Sequence, residues 1–233
     1  MEKMYETLVA GLRDMELPLS EDACRRLCAF GEAVVEQNKV MNLTAITEPE
    51  AVAKLHLLDC VSVLKCADLK GKRLIDVGCG AGFPGVPLKI ACPEVELTLL
   101  DSLAKRMNWL ASTLPDLGVE AKYIIGRAEE AVTKGREQYD FASSRAVARL
   151  NILLELTAPF VKVGGAVLAM KGSAAAEELE EAKGAIAKLG LKLESVHHFP
   201  VDGADHAVIV LRKVKATPAQ YPRRYAKMKQ FPL

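Results

Sequence analysis

The chain has 233 residues and a formal net charge of +1, and half of its residues are hydrophobic. That suits one α/β domain with a sizeable core, or one such domain with a small extension. No apolar run is long enough to span a bilayer, and the mixed-charge N-terminus lacks the basic start and apolar stretch of a secretory signal, so a cytoplasmic protein without membrane attachment is expected.

The chain opens with two helical segments. In the second, Cys24, Leu27, Cys28, Val34 and Val35 recur at helical spacing after Ser20, a suitable N-cap. A polar stretch, Gln37-Asn38-Lys39, leads into Met41-Asn42-Leu43-Thr44. Thr47-Glu48-Pro49-Glu50 then predicts a third helix, capped by Thr47, with proline in its first turn. From residue 73 the pattern changes to short apolar strands at 73–77, 96–101, 122–126, 139–144 and 166–171, with amphipathic stretches around 86–92, 103–114, 128–135 and 150–162 between them. Strands that are apolar on both faces and alternate with helices predict a parallel sheet covered by helices. A long helix is expected at 174–189, then strands at 191–199 and 206–214. The segment from Pro200 to Asp205 is too short for a parallel crossover, so these two strands must run antiparallel. A mostly parallel, Rossmann-like sheet with an antiparallel C-terminal strand is the outline of the class I S-adenosylmethionine-dependent methyltransferase fold. The expected organisation is a helical N-terminal cap over 1–70, an α/β core over 71–214 and a basic tail over 215–233, in a single compact domain.

From Arg212 to the end there are seven basic residues and no acidic one, which leaves −6 on the rest of the chain. Such a concentration suits a polyanionic partner, and a merely solvated tail equally well. Six cysteines occur without a C-x-x-C pair and are read as buried, reduced thiols. His197, His198 and His206 fall on late strands with no carboxylate partner evident in the sequence, so no metal site is expected. Trp109, beside Met107 and Leu110, is read as core.

The strongest local signal is Asp76-Val77-Gly78-Cys79-Gly80-Ala81-Gly82-Phe83-Pro84-Gly85, which follows a strand and opens a helix. Glycines there allow a tight turn and close approach of a ligand to the main chain. Asp76 can hold the loop or reach the cationic methionine moiety of S-adenosylmethionine, whereas a dinucleotide pyrophosphate at that place would be repelled. Asp101, at the end of the next strand, is placed to accept from both ribose hydroxyls. After the third strand, the Ala128 amide can donate to an adenine ring nitrogen and the Glu129 carboxylate can accept from its exocyclic amine.

With these motifs the chain resembles the bacterial 16S rRNA (guanine-N7)-methyltransferase family, also called glucose-inhibited division protein B. The resemblance covers nearly the whole chain. It rests on Asn42-Leu43-Thr44-Ala45-Ile46, His56-x-x-Asp59, the glycine loop and Asp101-Ser102-x-x-Lys105-Arg106. It continues through Arg127-Ala128-Glu129, Ser144-Arg145-Ala146-Val147-Ala148 and Tyr221-Pro222-Arg223. It implies that Gly78, Phe83, Ala128, Glu129 and Arg145 contact S-adenosylmethionine or line its pocket, with Gly80 in the same loop. It also implies a monomer acting on 16S ribosomal RNA or the small subunit and releasing S-adenosylhomocysteine. Cys60 stands where the family has serine, and the last nine residues lack the usual glycine and first proline.

The target atom decides which catalytic groups are needed. No Pro-Cys nucleophile for pyrimidine C5 occurs, and Ser143-Ser144-Arg145-Ala146 stands where an amine-methylating Asn/Asp-Pro-Pro-aromatic loop would lie. Guanine N7 has a free lone pair and needs no base. Arg145, at the fourth strand end, is the candidate catalytic residue, suited to donate to guanine O6 beside N7. Asn42, Arg223 and Arg224 are candidates for RNA contact, and Asn38, Lys39 and His56 for a cap over the cofactor. Rivals are a methyltransferase acting on another RNA or on protein, a non-catalytic ribosome-assembly factor, and an NAD-dependent oxidoreductase on a similar sheet.

Overall fold

Two helices carry the first forty residues of the computed structural model, which describes residues 2–201 and 203–233. Helix α1 (Glu2–Asp14) buries Met4, Leu8 and Leu12, a single stripe at four-residue spacing. Helix α2 (Glu21–Met41) starts at Ser20, whose side chain accepts from the Ala23 amide at 3.1 Å. It stops at Asn42, which adopts φ +50° and satisfies its own amide on the Asn38 carbonyl.

The third helical region differs from the sequence expectation. The N-cap position is Glu48, not Thr47, and no side chain caps it, with Pro49 filling the first turn instead. Helix α3 (Pro49–Val52) runs without a break into a π turn (Ala53–Leu58), then α4 (Asp59–Val61) and a 3-10 turn (Ser62–Lys65). A widened turn of this kind re-aims the side chains that follow it, and such turns cluster at functional sites.

The core alternates strand and helix in chain order: β1 (Arg73–Val77), α5 (Gly85–Ala91), β2 (Glu96–Asp101), α6 (Ala104–Thr113), β3 (Lys122–Ile125), α7 (Ala128–Gly135), β4 (Tyr139–Arg145), α8 (Leu150–Thr157) and β5 (Val161–Lys171). Then come α9 (Ala175–Glu181), α10 (Lys183–Lys188), β6 (Leu191–Val201), β7 (Ala204–Lys213) and α11 (Tyr225–Gln230). One sheet results, in the order β3-β2-β1-β4-β5-β7-β6. The first five strands are mutually parallel, and β7 runs antiparallel between β5 and β6.

Alternation along the strands divides the core between the two faces. Leu74, Leu97 and Leu99 pack with α1, α2, α5 and α6, whereas Ile75, Val77 and Leu100 pack toward α7 to α11. The expected helix at 174–189 is instead two helices that meet at buried Ala182. Strand β5 begins at Val161 rather than at 166, through an exposed stretch ahead of Gly165. Residues 215–233 fold against the sheet's second face rather than hanging free: Met228 is fully buried and α11 packs on α8.

From β1 the chain moves outward to β2 and β3, then returns to place β4 on the other side of β1. At such a switch point the two flanking loops diverge and leave a crevice beyond the strand ends. Among the described residues, no helix is long and apolar enough to cross a membrane.

Candidate active site

The crevice beyond β1 and β4 is a cleft of about 1140 Å³, roofed by the segment after α2 and by the π turn. Gly78, Gly80, Phe83, Asp101, Ala128, Glu129 and Arg145 all line it. Four separate strand ends supply them, so the fold gathers what the sequence spreads over 68 positions.

The loop after β1 is tied down from beneath. Asp76 is fully buried, accepts from the Gly85 amide at 2.8 Å and from the Ser143 hydroxyl at 3.2 Å, and does not line the cleft. Of the two roles expected for it, the geometry takes loop anchoring and leaves no path to a bound cofactor. Burial raises its carboxyl to about 7, against the pull of those two donors. The amides of Gly78 and Cys79 both donate to the Leu100 carbonyl, and Ser144 donates to the Val77 carbonyl, so β1, β2 and β4 hold the loop together. Gly78 adopts φ +71°, and a Cβ there would meet Val147 Cγ2 at 2.5 Å. At Gly80, φ +56°, a Cβ would meet nothing closer than 4.0 Å: the space above that turn is open.

Asp101 occupies the end of β2. One oxygen accepts from the Gly80 amide and the other from the Leu103 amide, both at 2.9 Å, and each retains a lone pair toward the cleft it lines. Ala128 and Glu129 form the first turn of α7, where the amides have no partner within the helix. The largely buried Glu129 carboxylate lies 3.9 Å from the exposed Arg127, a long pairing.

Arg145 ends β4 with its side chain mostly buried. Its Nη1 donates to Asp59 Oδ2 and to the Leu55 carbonyl, each at 3.0 Å, and its Nη2 lies 3.0 Å from His56 Nδ1. The carboxylate partner of Arg145 is thus Asp59. A guanidinium has no lone pair, so toward Arg145 His56 Nδ1 can only accept, whereas toward the Leu55 carbonyl, 3.1 Å away, the same nitrogen can only donate. Nε2 lies 2.8 Å from Thr44 Oγ1, a hydroxyl that takes either role. Burial and the Arg145 charge hold His56 down at about 4, so it is neutral at pH 7. The Arg145 guanidinium also lies 5.0 Å from the centroid of the Phe83 ring, on which His56 stacks at 4.7 Å.

Two late-strand histidines do have carboxylate partners. His206 Nδ1 lies 2.9 Å from Asp59 Oδ1, and His198 pairs with Asp205 at 3.0 Å. The first pair joins residues 147 positions apart, a separation at which spacing carries no signal. Among the described residues, no group of three or more His, Cys, Asp or Glu side chains is arranged to hold a metal ion. Cys79 lines the cleft, but it is 2% exposed and burial raises its thiol well above the ordinary range.

Asn42 is exposed at the end of α2 and its carbonyl receives Arg106, which lines the cleft. Asn38 accepts from the Leu43 and Thr44 amides and so shapes the roof, whereas Lys39 pairs with Glu36 on the surface. Arg224 is exposed. Arg223 departs from the expectation of RNA contact. Its backbone amide, Nε and Nη2 all donate to the carboxylate of Glu155, which is 1% exposed, and its Nη1 donates to the Phe231 carbonyl. That guanidinium neutralises a buried charge and is not presented outward.

The sheet order, the glycine loop and the acidic strand end together define an S-adenosylmethionine-dependent methyltransferase fold. A TehB-like methyltransferase of that class from Corynebacterium glutamicum superposes with a TM-score of 0.50 at 18% identity, over 66% of this chain and 87% of that one. Residues 23–207 match the family described as rRNA small subunit methyltransferase G, or GidB. The ribosomal RNA small subunit methyltransferase G of Caldanaerobacter subterraneus is 43% identical over 100% of this chain and 99% of its own. That of Clostridium perfringens strain 13 is 41% identical over 93% of each. The chain belongs to the rRNA small subunit methyltransferase G family.

Proposed function

We propose that this chain transfers the methyl group of S-adenosylmethionine to N7 of a guanine in 16S ribosomal RNA, working as a monomer in the cytoplasm. The observation that carries this is the pairing of one cleft, suited to an adenosyl ligand, with a cationic strand end whose neighbouring imidazole and carboxylate are already engaged in hydrogen bonds.

The residues present fit S-adenosylmethionine. The open space above Gly80 leaves room against the main chain, Asp101 has lone pairs free for two ribose hydroxyls, and the Ala128 amide and Glu129 carboxylate form a donor and acceptor for the adenine edge. Phe83 and Arg145 line the same pocket. When bound, S-adenosylmethionine supplies an electrophilic methyl, and the protein's main task is alignment at near-attack distance.

Within the cleft the polar groups suit a nucleophile that loses no proton. His56 is neutral but has both ring nitrogens engaged, Nδ1 with Arg145 and the Leu55 carbonyl and Nε2 with Thr44, Asp59 is held between Arg145 and His206, and the Cys79 thiol stays protonated. Guanine N7 needs none of them as a base. Arg145 is placed to donate to O6 while N7 attacks. Methyl transfer leaves a positive charge on the guanine ring, and an isolated arginine beside it would oppose that charge. Asp59 offsets the arginine, and the neutral His56 adds nothing to the repulsion.

Labelled S-adenosylmethionine, small subunits lacking the modification and the purified chain test the proposal. Label should enter 16S RNA at a guanine and yield 7-methylguanine on digestion. Label on protein, on another nucleobase or at an exocyclic amine overturns it, as does no transfer at all.

A further inference from the structure

Arg145 is held by more than its own strand. Its carboxylate partner, Asp59, sits at the start of α4, directly after the π turn in the unbroken helical run from Pro49 to Lys65. Among the described residues, Asp59 has no other side-chain donor than Arg145 and His206. Arg145 takes Oδ2 at 3.0 Å and His206 takes Oδ1 at 2.9 Å, so the two contacts together set the rotation of the carboxylate. His206 comes from β7, where it pairs with Phe199 of β6 one residue beyond Ala207, the last β7 residue paired with β5, and it lines the same cleft.

We infer that His206 is a positioning residue for methyl transfer, fixing Asp59 so that the Arg145 guanidinium stays seated against Phe83 at the cleft floor. The inference rests on the proposed role of Arg145. A carboxylate bonded only through Oδ2 can rotate about its Cβ–Cγ bond and carry the guanidinium with it. A second bond on Oδ1, from a different element of the fold, removes that freedom. A fraction of an ångström at the reacting centre is costly to rate, so the effect belongs to turnover rather than to cofactor affinity. The geometry also fixes protonation. An ionised Asp59 only accepts, so His206 must carry a proton on Nδ1 in both its neutral and charged forms.

Three measurements on the full chain test this. His206→Leu should lower kcat on unmodified small subunits about tenfold or more, with S-adenosylhomocysteine affinity within about threefold of wild type. His206→Asn, whose amide can donate to Asp59 from nearly the place of Nδ1, should restore most of the turnover. In an Asp59→Asn background, His206→Leu should add little further loss, because both changes break one coupled unit. A long-range proton–nitrogen spectrum at pH 8 should show His206 as the Nδ1–H tautomer, whether or not any variant is stable enough to assay. Losses that multiply across the double variant, a dead His206→Asn, a cofactor affinity that falls as far as kcat, or an Nε2–H tautomer at His206 would each overturn the inference. A wild-type chain inactive on ribosomal RNA overturns this inference and the proposed function together. An active wild type with a fully active His206→Leu overturns this inference alone.

Discussion

Asp76 and His56 titrate across the same pH range with opposite effects on stability. Burial raises Asp76 from its ordinary 3.8 to about 7, so the folded state binds a proton there more readily than the unfolded chain. Its contribution is fully present below about pH 4 and is lost as pH rises through 7. His56 is lowered from 6.5 to about 4, so the unfolded chain binds the proton first, and its contribution is present above 6.5 and lost as pH falls toward 4. Between pH 4 and 7 the two slopes oppose each other. Asp76→Asn should remove one of them: an asparagine can accept from the Gly85 amide and donate to the Ser143 hydroxyl, keeping the loop anchored without a buried charge. The variant should melt at or above the wild-type temperature at pH 8, and acidification from 7 to 5 should destabilise it more steeply than wild type. Methylation should stay within a few-fold of wild type. A large loss of S-adenosylhomocysteine affinity would restore the reading in which Asp76 touches the cofactor. Arg145→Lys is the matching change on the catalytic side. Lysine keeps the charge beside Asp59 but cannot span Asp59, the Leu55 carbonyl and His56 with one planar fork. Turnover should fall about a hundredfold, with cofactor affinity changed far less.

At the scale of elements, the core strands were legible because burial on both faces leaves a continuous apolar run, and the strands at 73–77 and 96–101 lie where the sequence puts them. The glycine loop was legible for a related reason: φ of +71° at Gly78, +56° at Gly80 and +98° at Gly82 is backbone that other residues rarely adopt. Helix winding was less so. The π turn at Ala53–Leu58 and the break at Ala182 are not marked by proline, and periodicity cannot separate them from a continuous helix. The Arg145–Asp59–His206 connection was invisible, since one helix and two separate strands meet there only after the whole sheet is assembled. Gly78→Ala tests the loop. The left-handed backbone alone costs about 1–2 kcal/mol with a Cβ present, and the Cβ would also collide with Val147 at 2.5 Å. Calorimetry should show a drop of several degrees, with weaker S-adenosylhomocysteine binding. Adding Val147→Ala should recover part of the affinity by removing the collision, and the remainder should persist because the backbone strain is untouched. Full recovery would mean that the conformation of Gly78 is not what holds the loop open.

At the scale of the whole molecule, the basic C-terminal segment holds the fold together and carries charge that RNA can use, and different residues serve the two purposes. Arg223 neutralises Glu155, a carboxylate 1% exposed beneath α11, and buried Met228 seats that helix on α8. Removing the arginine leaves an unpaired buried charge, a loss of about 3–5 kcal/mol, so Arg223→Ala should lower the melting temperature by about 10 °C in a chain of this size. Adding Glu155→Gln should recover much of that loss, because no charge then stays stranded. Arg224, Lys227 and Lys229 are exposed instead, and no carboxylate is paired with them among the described residues. If they face phosphates, each contributes a counterion released on binding. Converting all three to glutamine should leave the melting temperature nearly unchanged, weaken binding to small-subunit RNA, and reduce the slope of log affinity against log salt by about 2 to 3. A triple variant that binds RNA with the wild-type salt dependence would remove the tail surface from the RNA interface and leave Arg106 and Arg127, at the rim of the cleft, as the cations to test next.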